Sequence, residues 1–311
     1  MGPGCTMSKF EQITLHASGL SFSALAAGRG PLVLCLHGFP DCMRSYRHQL
    51  PAFAAAGYRA IAPMMRGYEP SSQPANGDYH IVRMAEDVIG WIDELGEERV
   101  HLVGHDWGAV VSYVAAAMAP ERFHSLTTLA IPHPGGMERG QAIRHVPKQI
   151  ANSWYMAFFQ LRGISDAIVS ALNWAFIDKL WRDWSPGWKW PTEELEAVKQ
   201  TLGQPGVKSA ALGYYRAFIG RGEGAKQTRR LFRTPIWVPT LALTGALDGC
   251  MDSRLYEHSM SDHEFHAGFR VERFDDAGHF LHQEQPERAN KLLVKWVESH
   301  TRAPLATTRS S

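Results

Sequence analysis

The feature that most constrains this chain is the stretch VHLVGHDWGAVVSYVAAAMAP, which begins at Val100. A β-branched run leads into Gly104, His105, Asp106, Trp107 and Gly108, and an Ala/Val-rich helical segment follows without a spacer. A strand that becomes a helix in so short a span must reverse its backbone sharply. Glycines on both sides of Asp106 relieve the crowding of that reversal. The Asp106 carboxylate then projects above the strand end, at a helix N-terminus whose unpaired N–H groups favour the ionised form. A buried strand feeding straight into a helix is also the unit from which parallel sheets are built, because parallel neighbours need a crossover connection.

The rest of the chain repeats that rhythm. ITLHASG and LSFSALAAG predict a hairpin turning near Gly19, and PLVLCLHG predicts a strand buried on both faces and ending at Gly38. YRHQLPAFAAAG reads as a helix stopped at Gly57, and YRAIAPMM as the next strand. Met84, Val88, Trp91, Ile92 and Leu95 form a helical stripe ending at Gly96, and SLTTLAI is another strand. From about Met137 to Thr234 the pattern is helical, with no core strand. There GISDAIVSALNWAFIDKLWRDW sets Ile164, Ile168, Leu172, Phe176 and Leu180 on one helical line. VKSAALGYYRAFIG is a further helix, closed by Gly220. Trp154, Trp174, Trp181, Trp184, Trp188 and Trp190 all fall in this region. Such aromatic content predicts either a lid over an apolar pocket or a helical subdomain with an aromatic core of its own. After Pro235 the alternation resumes with VPTLALTGALD, FRVERFDDAGH and a last helix that has Pro286 near its first turn. The expected architecture is α/β: a mostly parallel central sheet flanked by helices. Its core divides into 1–136 and 235–301 around a helical cap at 137–234, with a flexible tail at 302–311.

Composition narrows the function classes. At 311 residues, 45% hydrophobic and 20% charged, the chain suits one large globular domain with an insertion. A formal net charge of +1 supplies no electrostatic footprint for nucleic acid or an anionic membrane, so neither is an expected partner. Cys5, Cys35, Cys42 and Cys250 lack metal-ligand spacing, and the histidines are scattered. Free thiols in a reducing compartment and no metal are therefore expected. Neither a signal peptide nor a bilayer-spanning run is apparent, so a cytoplasmic protein is expected. MGPGCT formally fits a myristoylation pattern, although Met7 serves equally as a natural start.

In an architecture of this kind, an acid and a histidine follow the nucleophile, each at the C-terminal end of a later strand. Asp248, just after TLALTGAL, and His279, just after VERFDDAG, occupy those places; Asp252, Asp275 and Asp276 are rival acids. His37, Gly38, Phe39 and Pro40 end a central strand in a tight turn, with the Phe39–Pro40 bond expected to be cis. The backbone N–H groups of Phe39 and Trp107 are placed to converge on an oxyanion. His105, His133 and His282 read as packing or surface residues.

HGFP, GHDWG, the LDG around Asp248 and the AGHF around His279 together resemble the α/β-hydrolase fold, over nearly the whole chain from about Phe10 to Ser299. Within that superfamily, an aspartate nucleophile resembles epoxide hydrolases and haloalkane dehalogenases. A carboxylate attacking an ester would form a labile anhydride, whereas attack on saturated carbon forms an alkyl ester. Water then cleaves that ester, with His279 as general base and Asp248 holding the imidazole. The resemblance to epoxide hydrolases implies two lid tyrosines that donate to the opening ring oxygen. SWYMAFFQ places Tyr155 like the first, and GYYR places Tyr215 like the second, with Tyr214 as its alternative. Phe39 stands where many dehalogenases carry asparagine, and fluoroacetate dehalogenases often have arginine in place of Trp107. The resemblance thus implies conversion of a small apolar epoxide and water to a vicinal diol without a cofactor, and leaves open whether the chain acts as a monomer or a homodimer. A haloalkane dehalogenase and a non-catalytic ligand binder are the alternatives.

Overall fold

Strand β5, which leads to Asp106, lies in the middle of an eight-stranded sheet. The computed structural model describes residues 10–138 and 144–301; Cys5, the MGPGCT opening and the 302–311 tail lie outside the described residues. The strands are β1 (Glu11–Ala17), β2 (Leu20–Ala27), β3 (Leu32–Leu36), β4 (Arg59–Pro63), β5 (Val100–His105), β6 (Phe123–Leu129), β7 (Thr240–Gly245) and β8 (Phe269–Phe274). Their order is β1-β2-β4-β3-β5-β6-β7-β8. β1 pairs antiparallel with β2, and β2 with β4; every other pairing is parallel. The hairpin turns through Ser18 and Gly19, both at positive φ (53° and 74°), the conformation that suits the twist of a two-residue connection.

Period-two alternation decides which side chains enter which layer. Leu32, Leu34 and Leu36 of β3 join the core on one face of the sheet, and Val33 and Cys35 join the core on the other. Helices α1 (Gln49–Ala55), α2 (Ile81–Glu94) and α3 (Trp107–Met118) supply the crossovers. Trp91, Val111 and Val114 of α2 and α3 pack in the first core, while Leu50 and Phe53 of α1 pack in the second. Covered on both faces, β3, β5 and β7 are buried along their whole length, which is why they read as almost unbroken apolar runs.

Between β6 and β7 the described elements are all helices: α4 (Pro134–Glu138), α5 (Lys148–Asn152), α6 (Trp154–Phe158), α7 (Ile164–Trp184), α8 (Thr192–Leu202), α9 (Val207–Ile219) and α10 (Glu223–Phe232). Helices α11 (Leu255–Ser259), α12 (Leu281–Glu284) and α13 (Pro286–Thr301) complete the chain, and Leu293 and Val297 of α13 close the second core. No helix among the described residues is long and apolar enough to cross a membrane.

The straight apolar line expected along α7 is not what forms. Leu172, Asn173 and Trp174 take left-handed φ values of 49°, 55° and 64°, which break the helix in two. Ile164, Ile168 and Leu172 are 57%, 45% and 87% exposed, while Ser165 and Val169 are buried instead; in the second half Leu180 is buried as expected and Phe176 packs against the core, beside the buried Ile177, Trp181 and Trp184. A polar anchor selects the inward face of the first half: Arg216 on α9 donates to Ser165 Oγ and pairs with Asp166. The break then lets the second half turn its own apolar side toward the sheet. The tryptophans pack in more than one way, and Trp154 is 44% exposed. Trp181, Trp188 and Trp190 form an aromatic cluster with Phe280, whereas Trp184 packs on Tyr155 and His279.

Candidate active site

β5 ends at His105, and Asp106 takes φ 50° and ψ −119° before α3 starts at Trp107. A non-glycine residue in that region costs about 1–3 kcal/mol and persists only where its surroundings hold it. Here the Asp106 N–H donates to the Leu129 carbonyl, and the Asp106 carbonyl accepts from Ala109 and Val110. The glycines make room for the bend. A Cβ on Gly104 would strike the Gly108 carbonyl, one on Gly108 the Leu36 carbonyl, and one on Gly38 the Asp106 side chain. Three glycines therefore bring the end of β3, the bend and the first turn of α3 into mutual contact.

The Asp106 carboxylate, almost fully buried, has two different neighbours. Oδ1 accepts the Phe39 backbone N–H at 2.8 Å, and Oδ2 lies 3.5 Å from His279 Nε2. On its other side His279 Nδ1 is 2.9 Å from Asp248 Oδ2. Asp248 Oδ1 in turn accepts the N–H groups of Cys250 (2.7 Å) and Met251 (2.9 Å). The rival acids are engaged elsewhere: Asp252 with Arg254, Asp275 with Arg273, and Asp276 with Gln285 and Arg288. Burial works against a charged imidazole at His279. The Asp248 charge and hydrogen bond, with the nearby Asp106 carboxylate, outweigh it and raise its pKa to about 10.

Tyr155 and Tyr215 meet above this triad, their rings edge-on at 5.7 Å. Tyr215 also packs edge-on against Phe39 (5.5 Å), Trp107 (4.9 Å) and Phe159 (4.8 Å). Its buried hydroxyl makes no hydrogen bond of good geometry, and the same is true of His279 Nε2. The neighbouring Tyr214 turns away and donates to the Arg66 carbonyl. The Tyr155 hydroxyl lies 3.2 Å from Cys250 Sγ. Burial holds both phenols well above their ordinary pKa, helped at Tyr155 by Cys250 and at Tyr215 by the Asp106 charge. Both are therefore proton-bearing donors at neutral pH.

The HGFP turn is tied to its surroundings atom by atom. His37 Nε2 accepts the Met65 N–H, so Nδ1 carries the proton and donates to the Gly38 carbonyl. Burial lowers the His37 pKa to about 4, which keeps the ring neutral in that scaffolding role. The Phe39–Pro40 bond is cis, and the Pro40 carbonyl accepts the Trp181 indole N–H at 2.9 Å. His105, His133 and His282 are all buried, so the surface alternative for them is set aside. His105 Nε2 donates to the His279 carbonyl at 2.9 Å and steadies the triad from below.

Sequence reasoning passed over three groups here. Cys250 counted only as a free thiol, yet it stands beside Tyr155; its position two residues after Asp248 was the available signal. Gln149 gave no signal, but it ties the Cys250 carbonyl to the Asp252 N–H across the site. Asp41, directly after HGFP, accepts from Ser45 and Gln283, and the Ser45 hydroxyl also meets His282 Nε2. Among the described residues, two trios bring potential metal ligands within 4.8 Å of one another: Asp41, His105 and His282, and Asp106, Cys250 and His279. In the first, the Asp41 oxygens are already taken up by donors from Cys42, Ser45 and Gln283. The second is built around the triad's own hydrogen bonds.

Residues 31–286 match the family described as the alpha/beta hydrolase fold. The AB hydrolase superfamily protein YfhM of Bacillus subtilis is 30% identical over 92% of this chain and 97% of its own length. Epoxide hydrolase 3 of Siraitia grosvenorii is 32% identical over 94% of this chain and 99% of its own. Among solved structures, the epoxide hydrolase VrEH1 of Vigna radiata superposes with a TM-score of 0.78 at 25% identity. That superposition covers 94% of this chain and all of the other.

Proposed function

The chain belongs to the α/β-hydrolase family and, within it, to the epoxide hydrolases; from that premise we propose that it opens small apolar epoxides to vicinal diols with Asp106 as nucleophile. The observation that carries the reading is a carboxylate, seated on a backbone amide and a histidine, facing two buried proton-bearing tyrosines. A carboxylate oxygen of Asp106 attacks a ring carbon, that carbon's bond to oxygen breaks, and the electron pair leaves on the oxygen. Tyr155 and Tyr215 donate to that oxygen as it becomes an alkoxide. In the second half, water attacks the ester carbonyl while His279 takes its proton and Asp248 holds the imidazole; the tetrahedral intermediate then breaks its bond to the alkyl oxygen, which takes that proton and leaves in the diol as the Asp106 carboxylate re-forms. The Phe39 and Trp107 amides support the tetrahedral oxyanion. Residues 137–234 act as the cap that carries the tyrosines over the 1–136 and 235–301 core.

The change of charge between the two halves has a use. In the resting site, the Asp106 carboxylate is one of the groups that hold His279 protonated. Esterification removes that charge, so the imidazole becomes easier to deprotonate at the step that needs a base. A His279→Gln variant incubated with styrene oxide tests the reading. Peptide mass spectrometry should find the whole epoxide added to the peptide containing Asp106. An adduct formed only from haloalkanes, with halide released, overturns the epoxide reading in favour of a dehalogenase.

A further inference from the structure

We propose that the Cys250 thiol is a positioning residue that aims the Tyr155 hydroxyl proton at the opening ring. The inference rests on Tyr155 being one of the two donors to the epoxide oxygen. Cys250 is fully buried, with its sulfur 3.2 Å from the Tyr155 oxygen. One ligand atom each of Asp106, Cys250 and His279 lies within 4.8 Å of the other two, so the sulfur borders the space above the nucleophile. Its backbone is pinned on both sides: the N–H donates to Asp248 Oδ1, and the carbonyl accepts from Gln149 Nε2. Asp248 on the same loop and Gln149 from remote α5 thus hold the sulfur against the phenol.

Two protons compete for the single O···S line. Burial, with the Asp248 and Asp106 charges, keeps the thiol protonated, so both an S–H and an O–H are present. If the phenol donates to sulfur, a weak acceptor, its proton points away from the space it shares with Tyr215. If the thiol donates to the phenol oxygen, the phenol proton is free for an oxirane oxygen between the two rings. With a substrate in place, only the second arrangement satisfies all three groups. As the ring bond breaks and the Tyr155 proton shifts toward the departing oxygen, charge gathers on the phenol oxygen, and the S–H dipole stabilises it.

A double-mutant cycle on the ring-opening step tests this. In the His279→Gln background, which stops at the ester, single-turnover ester formation from styrene oxide is timed for Cys250→Ala, Cys250→Ser, Tyr155→Phe and the Cys250→Ala/Tyr155→Phe double. Loss of one neutral hydrogen bond predicts that Cys250→Ala slows ester formation about fivefold, with Cys250→Ser restored to within about twofold. In the Tyr155→Phe background, Cys250→Ala should add less than about twofold, because the hydroxyl it serves is gone. Equal slowing by Cys250→Ala with and without that hydroxyl, or a serine variant as slow as alanine, overturns the positioning role and leaves the epoxide reading intact. No ester in any variant, the His279→Gln parent included, overturns the reading itself and the inference with it.

Discussion

His279 stands between two carboxylates, and each half of the proposed reaction asks something different of it. With its pKa raised to about 10, the imidazole is protonated in the resting protein at neutral pH and cannot take a proton from water. Once Asp106 is an ester, the pKa falls, and the neutral base fraction grows as pH rises toward the new value. Ester hydrolysis should therefore accelerate with pH through a midpoint below about 10 and level off above it, while ester formation shows no matching rise. Stopped-flow single turnovers across pH separate the two, and a hydrolysis rate that falls with rising pH contradicts the account. The tyrosines belong to the other half. Tyr155→Phe and Tyr215→Phe should each slow ester formation by about 10- to 100-fold and leave hydrolysis of a formed ester unchanged. Quench-flow measurement of the two rates checks this, and equal slowing of both halves would remove the tyrosines from the acid role.

At the scale of elements, the bend at Asp106 and the break in α7 are opposite uses of positive φ. The bend is held from every side by glycines and backbone hydrogen bonds, and it aims a side chain. The break at Leu172 is on the surface, and its side chain is almost wholly exposed. A leucine there carries the cost of the left-handed conformation with no burial in return. Leu172→Gly should therefore raise stability by up to about 1 kcal/mol, whereas in a continuous helix the same change would lower it by about 1 kcal/mol. Urea denaturation midpoints give the sign, and a loss of stability would mean that α7 runs unbroken in solution. The first half of the expected stripe, Ile164, Ile168 and Leu172, failed for a physical reason. Helical periodicity records which residues share a face, but Arg216, distant in sequence, draws Ser165 and Asp166 inward.

Across the whole molecule, the site is assembled at the join between the helical segment and the sheet. Trp181 donates to the Pro40 carbonyl, Tyr214 to the Arg66 carbonyl, and the Trp184 carbonyl accepts the His279 N–H. Arg44 grips Glu194 with two hydrogen bonds, and Arg47 approaches the same carboxylate at 3.4 Å. Glu194→Ala would remove the carboxylate that Arg44 and Arg47 share in that join, although Arg47 keeps Gln283, and should cost about 1–3 kcal/mol. A urea midpoint unchanged from the parent would show that the other ties carry the join alone. Much of this molecule was legible before any coordinates. The buried runs, the glycine-flanked bend and the HGFP turn follow from backbone sterics and strand periodicity, which are local, whereas the order Asp106, Asp248, His279 was read from the resemblance, with Asp252, Asp275 and Asp276 as rival acids. The choice between Tyr214 and Tyr215 was not legible, because one residue along a helix swings a side chain by about 100°. Nor was the meeting of Cys250 with Tyr155, or the turn of Ser165 and Val169 into the core. Those depend on side chains from remote segments competing for the same space, and only the packed tertiary structure resolves that competition.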